Sequence, residues 1–377
     1  MIPYGKQYID DDDIKAVVEV LKSDWLTTGP KVEEFEQAVA DYVGSKYAVA
    51  VNSGTAALHC AMYAIGIGPG DEVIVPPMTF VATANCIVYQ GGTPVFVDVE
   101  EDTLLIDPDK IEEKITPKTK AIIAVDFAGQ PCDYDRLREI TNKHNLILVA
   151  DSCHALGAEY KGKKAGSLAD LSVFSFHPVK HITTGEGGMI TTDDKVYAER
   201  MKQFRSHGIA TDCREREKQG TWFYEMIDLG YNYRLTDLQC ALGLSQIKKI
   251  HFFLKKRREF ADRYNKTFAN TDRAEPLTIH IHALHAWHLY IIKIKGPDRN
   301  YVFQHLRESG IGANVHYIPV HLHPFYKNRF DTNLGLCPVA EKVYKEIISL
   351  PLFPSLNIED FKIVMDTVKE RLSSGHI

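Results

Sequence analysis

Three short polar motifs in this sequence have residue types that could take part in catalysis, and each follows an apolar run. Residues 52–55, Asn-Ser-Gly-Thr, follow the run YAVAV and open an apolar helix, whose free N–H groups and hydroxyls could bind a phosphate. Asp151 ends the run LILVAD, where a buried carboxylate is costly unless a cation or good hydrogen bonds accompany it. Lys180 lies between two apolar runs and before a glycine-rich turn, where burial would lower the pKa of its amine and free it to form a Schiff base.

Each motif also has an ordinary structural explanation. Ser53 and Thr55 fit a helix cap, Asp151 fits a cap or a metal ligand, and Lys180 fits an exposed loop. Taken together, a helix start for a phosphate, a carboxylate for a pyridinium nitrogen and an amine for an aldehyde match the requirements of pyridoxal 5′-phosphate (PLP). The carboxylate would keep the ring nitrogen protonated, so that the ring withdraws electrons from a substrate's α-carbon. The combination therefore predicts a PLP site.

The elements that must position these motifs alternate between strand and helix. Short apolar runs are separated by stretches with helical patterns, such as residues 55–65 and 134–145. This alternation predicts an α/β fold with a mostly parallel sheet covered on both faces, and ligands bind such sheets beyond the carboxyl ends of the strands. The runs are YAVAV (47–51), EVIVP (72–76), TPVFVDV (93–99), AIIAVDF (121–127), LILVAD (146–151), LSVFSF (171–176) and GMITT (188–192).

Helices are also predicted on either side of this pattern. The first follows residues 10–13, four aspartates that suit the positive end of a helix dipole as a solvated cap. Its apolar face consists of Ile14, Val17, Val18 and Leu21. A long helix begins at a capping box formed by Thr236 and Gln239 and continues through LQCALGLSQIKKIHFFLKKRREFADRYNKTF.

The pattern changes after about residue 270, where WHLYIIKI (287–294) and ANVHYI (313–318) indicate strands of a smaller α+β unit. We place the domain boundary inside the long helix. The prediction is a large PLP-binding domain of residues 14–248 and a small domain of residues 249–377, joined by residues 1–13.

Composition excludes several other classes of protein. The 377 residues are 45% hydrophobic and 25% charged, with a formal charge of −6, which argues against nucleic acid or an anionic membrane as the main partner. No segment approaches the ~18 apolar residues of a membrane span, and the acidic start MIPYGKQYIDDDD has no signal-peptide pattern. Seven cysteines without CxxC spacing indicate neither a disulfide framework nor a zinc site. A cytoplasmic enzyme is the expectation.

Three other motifs are explained by structure rather than by chemistry. The glycines of GIGPG follow a helix and precede a strand, the reverse of a dinucleotide-binding turn. The crowded histidines 280, 282, 285 and 288 have no carboxylate or cysteine beside them, so we interpret them as ordinary surface or strand residues and predict no metal. The basic run of residues 255–258 is interpreted as a solvated helix face.

Over nearly its whole length the chain resembles the DegT/DnrJ/EryC1/StrS family of sugar aminotransferases. The resemblance implies the aspartate aminotransferase type I fold, with a mixed, mostly parallel seven-stranded sheet in the large domain, PLP as cofactor, and a homodimer with shared active sites. The segments that carry it include LTTGPKVEEFE (26–36), NSGTAAL, PPMTFVATAN (76–85), VDFAGQP (125–131), DSCHALGAEYKGKKAGS (151–167), FSFHPVKHITTGEGG (174–188), FRSHG (204–208) and LGYNYRLTDLQCALGLSQI (229–247).

The resemblance also implies roles for individual residues. Lys180 matches the lysine that binds the cofactor and then shuttles the proton, and Asp151 matches the partner of the pyridinium nitrogen. His154 matches a residue near the ring, and Phe80 matches the aromatic residue that stacks on it. The matches to phosphate ligands are Ser53, Gly54, Thr55, Ser175 and, from the neighbouring subunit, Asn232. The matches to substrate contacts are Tyr4, Leu26, Thr27, Asn232, His316 and Tyr317.

Within the family, FHPVKHITTGEGG and NVHYIPVHLHPFY (314–326) most resemble the transaminases of pseudaminic acid biosynthesis. Those enzymes move the amino group of L-glutamate to C4 of a UDP-linked 4-keto-6-deoxy-N-acetylhexosamine, in a ping-pong reaction that releases 2-oxoglutarate. Family members that act as dehydratases carry histidine in place of Lys180, so the lysine favours transamination. The alternatives are a dTDP- or GDP-linked keto-deoxysugar of the perosamine or bacillosamine type, or a non-catalytic regulatory protein with the same fold.

Overall fold

The structure, a computed structural model, describes residues 1–211, 216, 220–296 and 298–373. Its strands are β1 (Tyr47–Val51), β2 (Glu72–Val75), β3 (Thr93–Phe96), β4 (Thr119–Val125), β5 (Ile147–Asp151), β6 (Glu159–Tyr160), β7 (Lys163–Lys164), β8 (Leu171–Ser175), β9 (Gly188–Thr192), β10 (Ala274–Pro276), β11 (Ala283–Leu284), β12 (Tyr290–Ile294) and β13 (Ile347–Leu350).

Helices connect these strands and cover the main sheet. The α-helices are α1 (Asp11–Leu21), α2 (Pro30–Val43), α3 (Gly54–Ala64), α4 (Ala82–Tyr89), α5 (Tyr134–His144), α6 (Lys195–Phe204), α7 (Asp237–Ile247), α8 (Ile250–Phe268), α9 (Arg299–Glu308), α10 (Pro324–Phe330), α11 (Pro338–Tyr344) and α12 (Ile358–Ser373). Single 3₁₀ turns occur at Pro108–Lys110, Glu112–Lys114, Phe127–Gly129 and Val320–Leu322. Within the described residues, no helix combines the length and the apolar character needed to cross a membrane.

The seven predicted strands form one sheet, in the order β1-β9-β8-β5-β4-β2-β3. The pairs β5/β8, β4/β5, β2/β4 and β2/β3 are parallel, and β9 is antiparallel to both of its neighbours. The predicted mixed, mostly parallel sheet is therefore confirmed. Since β1 and β8 both oppose β9, their carboxyl ends lie at the same edge of the sheet as that of β5, and this edge carries Ser53, Asp151 and Ser175.

A second, antiparallel sheet of three strands, β10-β12-β13, packs against α8, α9 and α12 around its own apolar cluster. That cluster begins at Phe260 in sequence and includes Tyr290 and Val364, all buried. The N-terminal segment joins it, because Ile2 pairs with Ile311. Residues 289–347 also contribute to the apolar core around the main sheet, so the division of the chain at residue 248 stays a prediction.

The predicted long helix is in fact two helices, and this expectation was wrong. The capping box of Thr236 and Gln239 is present, but α7 ends at Ile247 and α8 starts at Ile250. Lys249, in the break, turns its amine to Asp10 at 2.6 Å and Asp13 at 2.7 Å.

The first helix also differs from its predicted orientation. Asp13 is fully buried rather than solvated, and Gln246 Nε2 donates to it at 2.7 Å. Because Asp13 and Val20 face α7, the predicted apolar face turns outward, and Ile14 and Leu21 are more than half exposed. The buried amide of Gln246 and the partly buried ammonium of Lys249 need a carboxylate partner, and this need decides the orientation in place of the apolar pattern of the helix.

Candidate active site

The carboxyl edge of the main sheet opens into a cavity of about 970 Å³. The main sheet and its connections supply one wall, and the segment of residues 314–317 together with the N-terminal segment supplies the other. The predicted site residues that line it are Tyr4, Ser53, Gly54, Thr55, Phe80, Asp151, His154, Ser175, Lys180, His316 and Tyr317. The sequence motifs therefore converge on one cavity.

Three predicted residues do not line this cavity. Leu26 and Thr27 are exposed, and Thr27 forms an isolated bridge with Thr236. Asn232 is exposed, although its backbone carbonyl accepts a hydrogen bond from Asn52 Nδ2, on the cavity wall, at 3.4 Å. The assigned roles of these three residues stay predictions.

The start of α3 forms one end of the cavity. Ser53 caps the helix by accepting from Ala56 N at 3.0 Å, and residues 54 and 55 lie in the first turn, where N–H groups have no acceptor inside the helix. A Cβ atom at Gly54 would lie 3.0 Å from Ser175 Cβ, and one at Gly188 would lie 2.4 Å from the Ser53 carbonyl oxygen. Small residues thus leave room for a polar cradle that suits a phosphate.

Asp151, at the end of β5, is held by donors on both of its oxygens. Thr83 Oγ1 donates to Oδ2 at 2.6 Å, Cys153 N donates to Oδ1 at 3.2 Å, and Thr79 Oγ1 lies 2.7 Å from Thr83 Oγ1. The carboxylate is only 6% exposed and, within the described residues, has no cation within salt-bridge distance. A fixed, buried carboxylate that lacks a cation suits a pyridinium nitrogen.

Lys180 faces the same cavity with an amine that has no hydrogen-bond or salt-bridge partner in the described part of the chain. Burial lowers the pKa of this amine; the Asp151 carboxylate opposes the shift and the Arg257 guanidinium adds to it. The nearby Cys153 stays a neutral thiol at ordinary pH because burial raises its pKa well above the usual range. A lysine amine that loses its proton easily can act as a nucleophile toward an aldehyde.

His154 lies beside these groups, and one of its two ring nitrogens is available to a ligand. Its Nε2 is 3.3 Å from the Tyr317 hydroxyl, but its buried Nδ1 has no hydrogen-bond partner among the described residues. Burial lowers the pKa of His154 well below its usual range, so the ring is neutral. The orphaned nitrogen, the unpaired carboxylate and the glycine-lined cradle together fit a phosphorylated aromatic ring such as PLP.

Sequence reasoning missed several residues of this site. Thr83 supports Asp151 from α4, and its place in the PPMTFVATAN segment, three residues after Phe80, was a usable signal. The interpretation of His285 and His288 as ordinary surface or strand residues was wrong, because both are buried outside any strand. The His288 ring lies 4.4 Å from that of His154 and lines the cavity.

A second buried carboxylate, Asp126, supports the turn that carries the site. It accepts from Ser152 Oγ at 2.6 Å, Tyr134 OH at 2.9 Å and Cys132 N at 3.1 Å. Burial raises its pKa to about 6, against 3.8 for an ordinary aspartate. Because the folded chain then binds this proton more tightly than the unfolded chain, ionisation of Asp126 destabilises the fold as the pH rises from about 4 to about 6.

Replacing Asp126 with asparagine should remove that loss. We expect the apoenzyme's free energy of unfolding to fall by about 2 kcal/mol more in the wild type than in Asp126→Asn between pH 4 and pH 7. Urea unfolding across that range measures it, with Glu139→Gln, on the exposed side of α5, as the control. If the free energies of unfolding of the wild type and Asp126→Asn changed with pH in the same way, the pKa of Asp126 would not be raised by burial.

Known proteins are similar to this chain over nearly its whole length. The sequence model of the DegT/DnrJ/EryC1/StrS aminotransferase family matches residues 7–369. The spore coat polysaccharide biosynthesis protein SpsC of Bacillus subtilis is 43% identical over 375 residues, which are 98% of this chain and 96% of SpsC.

Solved structures agree with this match. The PLP form of Spr1654 of Streptococcus pneumoniae, a protein assigned as a sugar aminotransferase, has a TM-score of 0.94 and 36% identity over 100% of both chains. Its PMP form has the same TM-score. Helicobacter pylori PseC, an aminotransferase involved in pseudaminic acid biosynthesis, has a TM-score of 0.92 and 37% identity over 99% of both chains. The two identities are nearly equal, so overall similarity does not assign the sugar.

Proposed function

Since the chain belongs to the DegT/DnrJ/EryC1/StrS aminotransferase family and is a PLP-dependent sugar aminotransferase, we propose that Lys180 and Asp151 are its catalytic residues. We further propose that it moves the amino group of L-glutamate to C4 of a UDP-linked 4-keto-6-deoxy-N-acetylhexosamine. The observation that carries the first proposal is the cavity itself: beside a helix start it holds the Lys180 amine and the buried Asp151 carboxylate, and neither has an ionic partner in the part of the chain that the structure describes.

PLP, when bound, supplies an aldehyde for amines and an electron-withdrawing ring. Ser53, Gly54, Thr55 and Ser175 would hold its phosphate, while Asp151, His154 and Phe80 would hold its ring. Lys180 Nζ would take the proton from the α-carbon of L-glutamate, whose amino group stays with the cofactor when 2-oxoglutarate leaves, before the sugar enters. In the second half-reaction, the same Nζ returns a proton to C4 of the sugar, so its position fixes the configuration of the amino product.

The sugar is bound by the part of the cavity nearest the segment of residues 314–317. Tyr4, His316 and Tyr317 meet there, and the rings of Tyr4 and His316 lie 5.4 Å apart. Burial lowers the pKa of His316 to about 3, and its Nδ1 lies 2.8 Å from Ser349 Oγ, so it is neutral and fixed. Neutral hydrogen-bonding groups beside aromatic rings suit the hydroxyl and acetamido groups of a sugar. The likeness to PseC, together with the FHPVKHITTGEGG and NVHYIPVHLHPFY segments, supports the UDP-linked 4-keto sugar as the substrate.

A panel of 4-keto-6-deoxysugars linked to UDP, dTDP or GDP tests this substrate. We expect amination of the UDP-linked N-acetylhexosamine alone. NMR of the product assigns the configuration of the new amine at C4. Lys180→Ala, purified in parallel, is the control for contaminating transaminases. Faster turnover of a dTDP- or GDP-linked sugar would contradict the proposed nucleotide and leave the aminotransferase assignment in place.

We also propose a homodimer in which Asn232 contacts the phosphate in the partner's site. Asn232 lies at the end of a segment, residues 222–231, whose large apolar side chains are exposed. Trp222 is 85% exposed and Leu229 is 70% exposed. Contiguous exposed apolar groups of this kind are typical of surfaces that a partner covers.

Mixed dimers give a direct test of the shared site. Lys180→Ala and Asn232→Ala chains should each be nearly inactive, but their co-expressed mixture should recover about a quarter of wild-type activity, because half of the dimers contain one intact site. Differently tagged chains allow the mixed dimer to be purified and its activity measured. No recovery in the purified mixed dimer would show that Asn232 does not act across the interface.

A further inference from the structure

Arg257 on α8 contradicts the sequence interpretation of its neighbourhood. Residues 255–258 form a basic run, and Lys255 and Arg258 are exposed as predicted. Arg257 is 0% exposed, because it shares the inward face of α8 with Phe253 and Phe260. The prediction of a solvated face was therefore wrong for Arg257.

Within the described residues, the guanidinium of Arg257 donates hydrogen bonds to backbone carbonyls alone. Nη1 donates to Leu352 O at 3.0 Å and to Trp287 O and His288 O at 3.2 Å. Nη2 donates to Val179 O at 3.2 Å and to Lys180 O at 3.5 Å. One side chain thus joins the Lys180 loop to the segments before β12 and after β13.

This cation has no carboxylate within salt-bridge distance in the described ranges of the chain. Burial lowers the pKa of Arg257 to about 10, so the guanidinium stays protonated at neutral pH. A fully buried, unpaired cation is costly, and carbonyl oxygens offset only part of the cost. The guanidinium contacts the backbone carbonyl of Lys180, so a role at that lysine would explain why a costly buried cation is present.

We propose that Arg257 is a positioning residue for transamination: it fixes the backbone from which the Lys180 amine extends, and it places a buried positive charge beside that backbone. The proposal rests on the catalytic role proposed for Lys180. Rigid placement of a reacting group to within about 1 Å can change a rate ~10²-fold. The like charge adds an effect that a purely structural residue would not have.

The other groups around Lys180 do not supply this charge. Asp151 is the carboxylate that favours the protonated amine, and burial lowers the pKa of Lys180 independently of any charge. Burial keeps the remaining neighbours neutral by lowering the pKa of each histidine and raising those of the thiol and the phenol; these neighbours are Cys153, His154, His181, His288, His316 and Tyr317. Among the residues that the structure describes, Arg257 is therefore the cation that counteracts Asp151.

The test measures the amine itself, in the apoenzyme. The pH dependence of Lys180 acetylation, followed by peptide mass spectrometry, gives the pKa of this amine in the wild type, Arg257→Met, Arg257→Lys and the exposed control Lys255→Met. We expect the midpoint to rise by about one pH unit in Arg257→Met and to stay unchanged in Arg257→Lys and Lys255→Met. An unchanged midpoint in folded Arg257→Met would overturn the role of the charge.

Arg257→Lys tests the positioning part even if Arg257→Met does not fold. An ammonium keeps the charge but cannot reach all of the carbonyls that the guanidinium fork binds, so kcat should fall ~10-fold or more with KM for L-glutamate little changed. Wild-type kcat in Arg257→Lys would overturn the positioning role. If the cofactor is found on a lysine other than Lys180, the proposed function itself fails; if it is found on Lys180 and the acetylation midpoint does not move, only the role of Arg257 fails.

Discussion

Lys180→Ala should lose amino transfer by ~10⁴-fold or more, because one amine serves both as the covalent attachment of the cofactor and as the carrier of the proton. Lys180→Arg should be equally inactive, since a guanidinium keeps the charge and the length but cannot attack an aldehyde. The measurement is 2-oxoglutarate released from L-glutamate in a single turnover with PLP-loaded protein.

Two controls separate the loss of chemistry from the loss of the fold. Thermal unfolding of the Lys180→Ala apoenzyme should be close to that of the wild type, because the amine has no partner within the described residues to lose. Lys255→Met, exposed on α8, should keep wild-type turnover. Turnover within 10-fold of wild type in Lys180→Ala would assign the proton transfer to another group.

Asp151→Asn should lower kcat of both half-reactions by about 10²- to 10⁴-fold, which corresponds to the ~3–5 kcal/mol typical of a broken buried ion pair. The amide keeps the shape of the carboxylate but cannot hold the pyridinium proton. The same change should leave the apoenzyme equally or more stable, because Asp151 is buried without a cation there. Misfolding would lower both the activity and the stability of the variant, so a loss of activity without a loss of stability would exclude it.

Thr83→Val provides the matched comparison for Asp151→Asn. It removes the 2.6 Å hydrogen bond from Thr83 Oγ1 and leaves the charge in place, so a loss of only ~10-fold is expected. Stopped-flow absorbance of the cofactor resolves both half-reactions. Equal losses in Thr83→Val and Asp151→Asn would mean that orientation, and not charge, is what Asp151 supplies.

Much of this site could be predicted from the sequence because its residues are tied to regular local elements. Ser53 caps a helix directly after β1, and Asp151 and Ser175 end buried strands. Once the alternation of strands and helices indicates a parallel sheet, the carboxyl ends must meet at one edge. Local pattern and global topology agree there, so the cavity follows from the order of the motifs.

The features that the sequence did not predict depend on partners distant in the chain. Arg257 is buried because carbonyls near residues 179, 287 and 352 surround it, and nothing in the run KKRR distinguishes it from its exposed neighbours. Asp13 is buried because Gln246 and Lys249 bind it, and the same contacts accompany the end of α7. In α1, polar groups that satisfy one another across the fold override helical periodicity, and a single sequence does not show such pairs.

The most direct test of the account is to locate the cofactor on the chain. The PLP-loaded enzyme is reduced with borohydride, digested and mapped by mass spectrometry, with Lys180→Arg treated in the same way. We predict that the phosphopyridoxyl mass is found on the peptide containing Lys180 and is absent from the variant. The same label on another lysine, or its persistence in Lys180→Arg, would contradict the central claim.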